Sequence, residues 1–180
     1  IDDVLQSSYT SSPDNFDFTY VSCDAIKLGR NVVNMLSHIN KTDANITFSA
    51  NKEMFPIFTD SLRLQQVIIN VMTNAMKFCK RGTINLNINA DDVTNEITFT
   101  VTDTGVGIPK DKAKKIFKRF EKVTEQAYGF GIGLSLCKII MQRLGGDIWV
   151  DENYTNGARF VFNQPYVAVE NAQGSAGNVN

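Results

Sequence analysis

The sequence predicts an α+β fold, in which helices cover one face of a mixed, mostly antiparallel sheet. Two segments, "TINLNINA" at 83–90 and "EITFTVTD" at 96–103, alternate strictly between apolar and polar residues, as half-buried strands do. The turn-forming "DDVTN" joins them, which favours antiparallel pairing. The segment from Asp60 to about Cys79 instead places apolar residues at helical spacing. Helices on one side of such a sheet form a two-layer α/β sandwich.

The elements before this helix alternate between strand and helix patterns. "FDFTYV" at 16–21 reads as a strand, and Ser22 or Asp24 can cap a helix that runs to about Asn40. "ITFSA" and "FPIFT" read as two short strands, after which Asp60 caps the long helix. The first helix is expected to face the core with one apolar stripe: Leu28, Val32, Met35, Leu36 and Ile39.

The second half adds two helices and two strands. Pro109 opens a helix to about Phe120, and another helix follows a glycine-rich stretch and ends at Gly145 and Gly146. "DIWV" and "ARFVFN" are strands that flank a turn at Asn156. We expect one domain at 16–164, a disordered tail at 165–180, and in 1–15 the end of a preceding helix with its linker.

Composition excludes several classes of partner. The 180 residues are 43% hydrophobic, with 18 basic and 19 acidic side chains in no like-charged run, so neither nucleic acid nor a membrane surface is an expected partner. No apolar run approaches 18 residues, which predicts an intracellular chain. Cys23, Cys79 and Cys137 suit a reducing compartment, and we interpret them as core residues. His38 lies off the apolar stripe and is interpreted as a solvated surface residue.

The polar face of the long helix is unusual. Arg63, Gln66, Asn70, Asn74 and Lys77 point in one direction, opposite the apolar side. A solvated face is the simplest alternative, but such faces favour Glu, Lys and Arg, and asparagine lowers helix propensity. Amide oxygens are hard neutral ligands for Mg²⁺, and lysine is a point charge for phosphate.

Asp103 ends its strand on the core side. A buried carboxylate is unfavourable unless it accepts hydrogen bonds. Gly105 and Gly107 follow it in "TGVGIPK" and leave room for a flat ligand. Asp103 then accepts from an exocyclic amino group such as that of adenine, or, in the alternative, only caps its own turn.

Three glycines, Gly129, Gly131 and Gly133, precede the last helix in "YGFGIGLSLCK". A phosphate at the helix N-terminus explains them, although a flexible loop before a core helix is the simpler alternative. The stretch lacks the Gly-Lys-Ser/Thr of a P-loop and follows no strand, which excludes that family and the dinucleotide-binding family. The preceding "FKRFEKVTEQA" looks like a loop that folds over a ligand and brings Arg119 or Lys122 near phosphate.

In chain order these segments form one pattern. "NVMTNAMKF", "DTGVGIP", "IFKRF" and "GFGIGL" resemble the N, G1, F and G2 boxes of the ATP-binding catalytic domain of sensor histidine kinases, in the GHKL superfamily with gyrase B and MutL. The resemblance extends from about Phe16 to Phe162 and implies the Bergerat α/β sandwich.

The resemblance assigns roles to residues of the N and G1 boxes. It implies that Asp103 binds the adenine amino group and that Phe78 packs near the base. Asn74, with Asn70 beside it, would ligate Mg²⁺, and Lys77 would contact phosphate.

The remaining predicted cofactor-binding residues shape the base pocket or belong to a lid over the triphosphate. They are Gly105, Gly107, Ile108 and Leu134 around the pocket, Phe117 and Phe120 as lid anchors, and Gly129, Gly131 and Gly133 as lid hinge and phosphate contacts.

The resemblance implies a kinase that uses ATP and Mg²⁺ and offers the γ-phosphoryl group to a histidine on a separate dimerisation domain. Asn70 stands where ATPases of the superfamily have a glutamate, so hydrolysis is disfavoured, and no phosphoacceptor box supplies a nucleophile in this chain. The implied partners are that dimerisation domain and a response regulator receiver domain, and the isolated domain would be a monomer. It would be the cytoplasmic part of a sensor kinase, with or without a membrane anchor. A nucleotide-binding scaffold without turnover and an ATPase clamp are the alternatives.

Overall fold

The α+β architecture is confirmed in a computed structural model, which describes residues 17–118 and 133–166. Five strands form one sheet in the order β2-β4-β5-β7-β6, and two more form a separate β1-β3 pair. Among the strands of the described residues, β2 and β4 alone pair in parallel, and the other pairs are antiparallel. The strands are β1 (Val21–Asp24), β2 (Asp43–Ala50), β3 (Pro56–Thr59), β4 (Arg81–Asp91), β5 (Glu96–Asp103), β6 (Asp147–Val150) and β7 (Arg159–Pro165), and the helices are α1 (Ala25–Ile39), α2 (Ser61–Phe78), α3 (Lys110–Ala113) and α4 (Gly133–Arg143).

The large sheet has one buried and one half-exposed face. Along β5 the apolar residues Ile97, Phe99 and Val101 are fully buried against the helices, whereas the threonines between them are half-exposed. On the outer face the asparagines of β4 are used structurally, because the Asn85 and Asn87 amides donate to hydroxyl groups of β2 at 2.9 Å. This ladder ties the edge strand β2 to the sheet.

The first strand and helix begin differently from the prediction. β1 covers Val21–Asp24 instead of 16–21, and it pairs with β3 rather than with the large sheet. Of the two predicted caps, Asp24 is the one used, since its Oδ1 accepts from the Ile26 amide at 3.0 Å. The same oxygen accepts from the Phe55 amide at 3.1 Å, which fixes the start of α1 to the segment before β3.

The buried face of α1 is rotated from the predicted stripe. Val32 and Leu36 are buried as expected, but Met35 and Ile39 are each 44% exposed. Gly29 is the reason, because a Cβ at this position would lie 2.5 Å from Ile88 Cδ1. The helix therefore approaches the sheet along its glycine side. His38 is exposed, as predicted.

Helix α2 agrees with the prediction in its cap and its faces. The Asp60 carboxylate, 5% exposed, accepts from the Arg63 amide at 3.0 Å. Its other oxygen accepts from the Thr19 amide at 3.0 Å, so the cap also holds the segment before β1. The apolar side of the helix is buried, at Leu64, Val67, Ile68, Val71, Met72 and Ala75.

The helix predicted from Pro109 to about Phe120 is shorter within the described residues. α3 covers only Lys110–Ala113, and turns continue from it. Five lysines between 110 and 118 repel one another at helical spacing, and no side chain caps the start. Helix α4 ends close to the predicted glycines, since Gly145 has a φ of 85°.

Strand β7 ends at Pro165, one residue after the predicted domain boundary at 164. The next residue, Tyr166, also packs against the domain. The Tyr166 ring packs edge-on against Phe55 at 4.6 Å, and its hydroxyl donates to Asp92 at 2.9 Å. The rest of the predicted tail and the predicted leading segment 1–15 lie outside the described residues. Within the described ranges, every helix is too short or too polar to span a bilayer.

Candidate functional site

A small, partly open pocket lies where the end of β5 meets the last turns of α2. It gathers residues from the predicted N, G1 and G2 boxes and from the start of β7. The lining residues are Asn74, Ala75, Phe78, Asp103, Gly107, Ile108, Leu134, Ala158 and Phe160.

Asp103 sits at the buried end of the pocket and is 2% exposed. Its Oδ1 accepts from the Gly105 amide at 2.8 Å and from the Ala158 amide at 3.3 Å. Burial raises the pKa of the Asp103 carboxyl, and these two hydrogen bonds oppose the rise. The turn-capping alternative is therefore realised, but by one oxygen only. Among the described contacts, Oδ2 is left available as an acceptor for a ligand.

The loop after Asp103 contacts the end of α2 closely. The Val106 amide donates to the Phe78 carbonyl at 3.4 Å, and a Cβ on Gly105 would lie 2.5 Å from that carbonyl oxygen. Gly107 has a φ of 75°, and a Cβ there would lie 3.0 Å from the Gly157 carbonyl oxygen. The two predicted glycines thus bring the base of the pocket together, although only Gly107 lines it.

The polar face of α2 is divided between the pocket and the contact with α4. Asn74 lines the pocket, whereas Lys77 is exposed and is not among the lining residues. Asn70 lies against the start of α4, because a Cβ on Gly133 would be 3.8 Å from its Cγ. Its Nδ2 is buried, and among the described residues it makes no hydrogen bond of normal geometry. Such an orphaned donor costs free energy unless a ligand accepts from it.

This donor set fits a magnesium-bound nucleotide. Two neutral amides on one helix face and a carboxylate oxygen at the pocket base offer acceptors and a donor to a base and to phosphates. In the described part of the chain, no three His, Cys, Asp or Glu side chains come together. An ion there would be held by phosphate oxygens and water, with an amide oxygen as the ligand from this part of the chain.

Cys137 lies beneath Asn70 on α4 and is fully buried. Burial raises the pKa of its thiol to about 12, and the neighbouring Asn70 side chain opposes the rise. The thiol is a packing group, as predicted, and so is the buried Cys79. Cys23 is half-buried at the edge of the core.

Phe117 does not line the pocket but contacts Phe160, which does. Its ring meets Phe160 edge-on, with centroids 6.3 Å apart and planes at 84°. The Lys138 ammonium lies 5.7 Å from the centroid of the Phe117 ring. Phe120, Gly129 and Gly131, with the lid residues Arg119 and Lys122, lie outside the described residues.

Comparison with known proteins shows the family to which the chain belongs. The family model of histidine kinase-, DNA gyrase B- and HSP90-like ATPases matches residues 59–168. The chain belongs to this family.

Proteins similar to this chain include the following relative and two solved structures. The adaptive-response sensory kinase SasA of Nostoc sp. is 38% identical over 111 residues, which are 61% of this chain and 28% of that protein. Full-length ShkA in complex with AMPPNP has a TM-score of 0.77 and 27% identity, covering 93% of this chain and 35% of ShkA. Histidine kinase ThkA in complex with the response regulator TrrA has a TM-score of 0.73 and 25% identity, covering 92% of this chain and 46% of that one. The chain thus spans about a quarter of SasA and about a third of ShkA.

Three lining residues were not predicted: Ala75, Ala158 and Phe160. Ala75 follows Asn74 on the buried, apolar side of α2, which the sequence pattern predicts to face the core and not a ligand. Phe160 pairs with Val101 in the neighbouring strand, which places Ala158 beside Asp103. The alternation of "ARFVFN" shows which residues of β7 face inward, but pairing with β5 decides which of them reach the pocket.

Proposed function

We propose that this chain is the ATP-binding catalytic part of a sensor histidine kinase, which binds Mg-ATP and presents the γ-phosphoryl group to a histidine on a separate dimerisation domain. The observation that carries the proposal is the convergence of Asn74, Phe78, Asp103 and Leu134 on one pocket from three distant parts of the chain. Family membership supports it.

The pocket offers adenine both apolar walls and one acceptor. Phe78, Ile108 and Phe160 supply apolar surface, and Asp103 Oδ2, which accepts from neither the Gly105 nor the Ala158 amide, would accept from the adenine amino group. A carbonyl group, which guanine carries at the same position, would face this carboxylate unfavourably. We therefore expect ATP to be preferred to GTP.

Asn74 and Asn70 would hold the ion and the phosphates. Mg²⁺ would neutralise phosphate charge when bound. Asn74 can offer its amide oxygen at the pocket, and the buried Asn70 Nδ2 can donate to a phosphate oxygen. An amide cannot remove a proton from water, so Asn70 favours phosphoryl transfer to an external histidine over hydrolysis.

The proposed partners follow from the proposed kinase function. A dimerisation domain would supply the histidine, and a receiver domain of a response regulator would take the phosphoryl group from it. The similarity to ThkA, solved with a response regulator, supports the second partner. We also propose a cytoplasmic location, because ATP is available there.

Transfer of label from γ-³²P-ATP tests the function. The chain is mixed with Mg²⁺ and a purified histidine-bearing dimerisation domain from a sensor kinase of this family, and acid-labile, base-stable label on that domain is the expected result. Asp103→Ala is the matched negative control. ATP binding without transfer would favour a scaffold, and release of inorganic phosphate without an acceptor would favour an ATPase clamp.

A further inference from the structure

We propose that Lys138 is a positioning residue of the nucleotide pocket, which acts by holding the Phe117 ring against Phe160. The inference rests on the proposed nucleotide-binding function of that pocket. Lys138 itself does not line the pocket, and neither does Phe117.

The Lys138 ammonium joins three parts of the fold. From helix α4 it contacts Asp147 Oδ1 at 2.5 Å and donates to the Ile148 carbonyl at 3.1 Å, both at the start of β6. Its third contact is the Phe117 ring, at 5.7 Å from the centroid. The side chain is 30% exposed, so these contacts are partly shielded from solvent.

Phe117 connects Lys138 to the wall of the pocket through its contact with Phe160. Its ring packs edge-on against Phe160, and Phe160 is 3% exposed and lines the pocket. Phe117 and Lys138 also lie on opposite sides of the interval 119–132, which contains the predicted lid. A cation that fixes Phe117 to α4 therefore fixes one wall of the pocket relative to the helix that begins at Gly133.

The chain contains a matched control far from the pocket. Lys52 pairs with Asp92 and lies 4.8 Å from the Phe55 ring centroid, and its side chain is also 30% exposed. Asp92 lies in the turn before β5, whereas Asp103 ends that strand, so the strand's length separates the two groups. Lys52→Met removes an ion pair and a cation–π contact of the same kind as Lys138→Met.

The test measures the Kd of Mg-ATP by calorimetry, together with the midpoint of thermal unfolding, for Lys138→Met and Lys52→Met. We expect both variants to lower the midpoint to a similar extent, but only Lys138→Met to raise the Kd, roughly three- to tenfold. Lys138→Arg, which keeps a cation over the ring, should restore the Kd to within about twofold of the unmodified chain. Lys138→Gln is a second variant that removes the charge, should the methionine variant fail to fold.

A double-mutant cycle with Phe117→Leu tests the route. If Lys138 acts through the ring, Phe117→Leu combined with Lys138→Met should bind Mg-ATP no more weakly than the weaker single variant. Additive losses, or a Lys138→Met Kd equal to that of Lys52→Met, would overturn the inference. Failure of the unmodified chain to bind ATP is a different result, and would count against the proposed function itself.

Discussion

Asp103 and Ala158, 55 residues apart in the chain, exchange a reciprocal pair of hydrogen bonds at the base of the pocket. The Asp103 amide donates to the Ala158 carbonyl at 2.9 Å, and the Ala158 amide donates to Asp103 Oδ1 at 3.3 Å. The Gly105 and Ala158 amides both donate to Oδ1, so backbone groups hold one carboxylate oxygen, and Oδ2 is left as the acceptor available to a ligand. The orientation of the acceptor is thus set by backbone groups, whichever side chains surround it.

Asp103→Asn should separate stability from binding. The asparagine oxygen can accept from the same two amides, which turns its NH₂ group toward the pocket, where a donor would face the donor of adenine. We expect ATP binding to weaken by roughly 10- to 100-fold, the loss typical of a hydrogen bond to a charged group. Calorimetric titration with Mg-ATP measures it.

The same variant should be more stable than the unmodified chain at neutral pH. Because burial raises the pKa of Asp103 in the folded state, the folded chain retains a proton that the unfolded chain releases. The stability of the unmodified chain should therefore fall as the pH rises from the ordinary aspartate pKa, about 4, through the raised folded value. Thermal unfolding of both chains across this window should show a growing advantage for the variant. A difference in unfolding midpoint that stays constant or shrinks as the pH rises would contradict the raised pKa of Asp103.

Gly157→Ala should destabilise the fold strongly. Gly157 has a φ of 145°, and a Cβ there would lie 2.0 Å from the Asp103 carbonyl oxygen. We expect a loss of about 2 kcal/mol or more in the free energy of unfolding, measured in urea.

Gly133→Ala is the matched control for that variant. Among the described residues, a Cβ at Gly133 would meet nothing closer than 3.8 Å, and helix α4 begins there. Its free energy of unfolding should stay within about 1 kcal/mol of the unmodified value. Equal losses for the two variants would refute the close approach at Gly157.

Asn74→Ala should remove the Mg²⁺ dependence of ATP binding. Asn74 lines the pocket, and its amide oxygen is the proposed ligand. We expect roughly a tenfold weaker Kd in the presence of Mg²⁺ and little change in its absence. Thr73→Ala is the control on the same helix, since the Thr73 hydroxyl donates to the Ile69 carbonyl at 2.8 Å and should not contribute. An unchanged Mg²⁺ effect in Asn74→Ala would remove Asn74 from the ion site.

The thiols should differ in reactivity in the folded chain. Cys79 and Cys137 are 0% exposed, and burial raises the pKa of Cys137 to about 12. Cys23 is half-buried, and burial raises its pKa as well. Labelling with a disulfide reagent at pH 8 should therefore modify Cys23 slowly and the other two only after unfolding in guanidinium. Rapid labelling of all three in the folded chain would contradict the burial of Cys79 and Cys137.

The best-predicted parts of the fold are those that local sequence decides. β5 and β6 have the predicted bounds, because alternating side chains and flanking turns define a strand locally. Asp60 caps α2 as predicted, since a cap needs only the residues beside it. Asp103 was also found from local sequence, because a carboxylate interrupts the apolar pattern at the end of β5, and it lines the pocket.

The parts that were missed depend on distant contacts. The orientation of α1 is set by Gly29 against Ile88, so Met35 and Ile39 turned out exposed. β1 covers Val21–Asp24 because it pairs with β3, whereas the sequence predicted a strand at 16–21. The pattern of one strand does not reveal its partner. Phe160 reached the pocket through the register of β7 on β5, which no local pattern specifies.

The most direct test of the central claim is a calorimetric titration of the unmodified chain with ATP and with GTP, each with Mg²⁺. We predict saturable one-to-one binding of ATP, much weaker binding of GTP, and near-abolition of the ATP signal in Asp103→Ala. A folded chain that gives no heat with either ATP or ADP, or that binds GTP equally well, would contradict the claim that this pocket recognises adenine through Asp103.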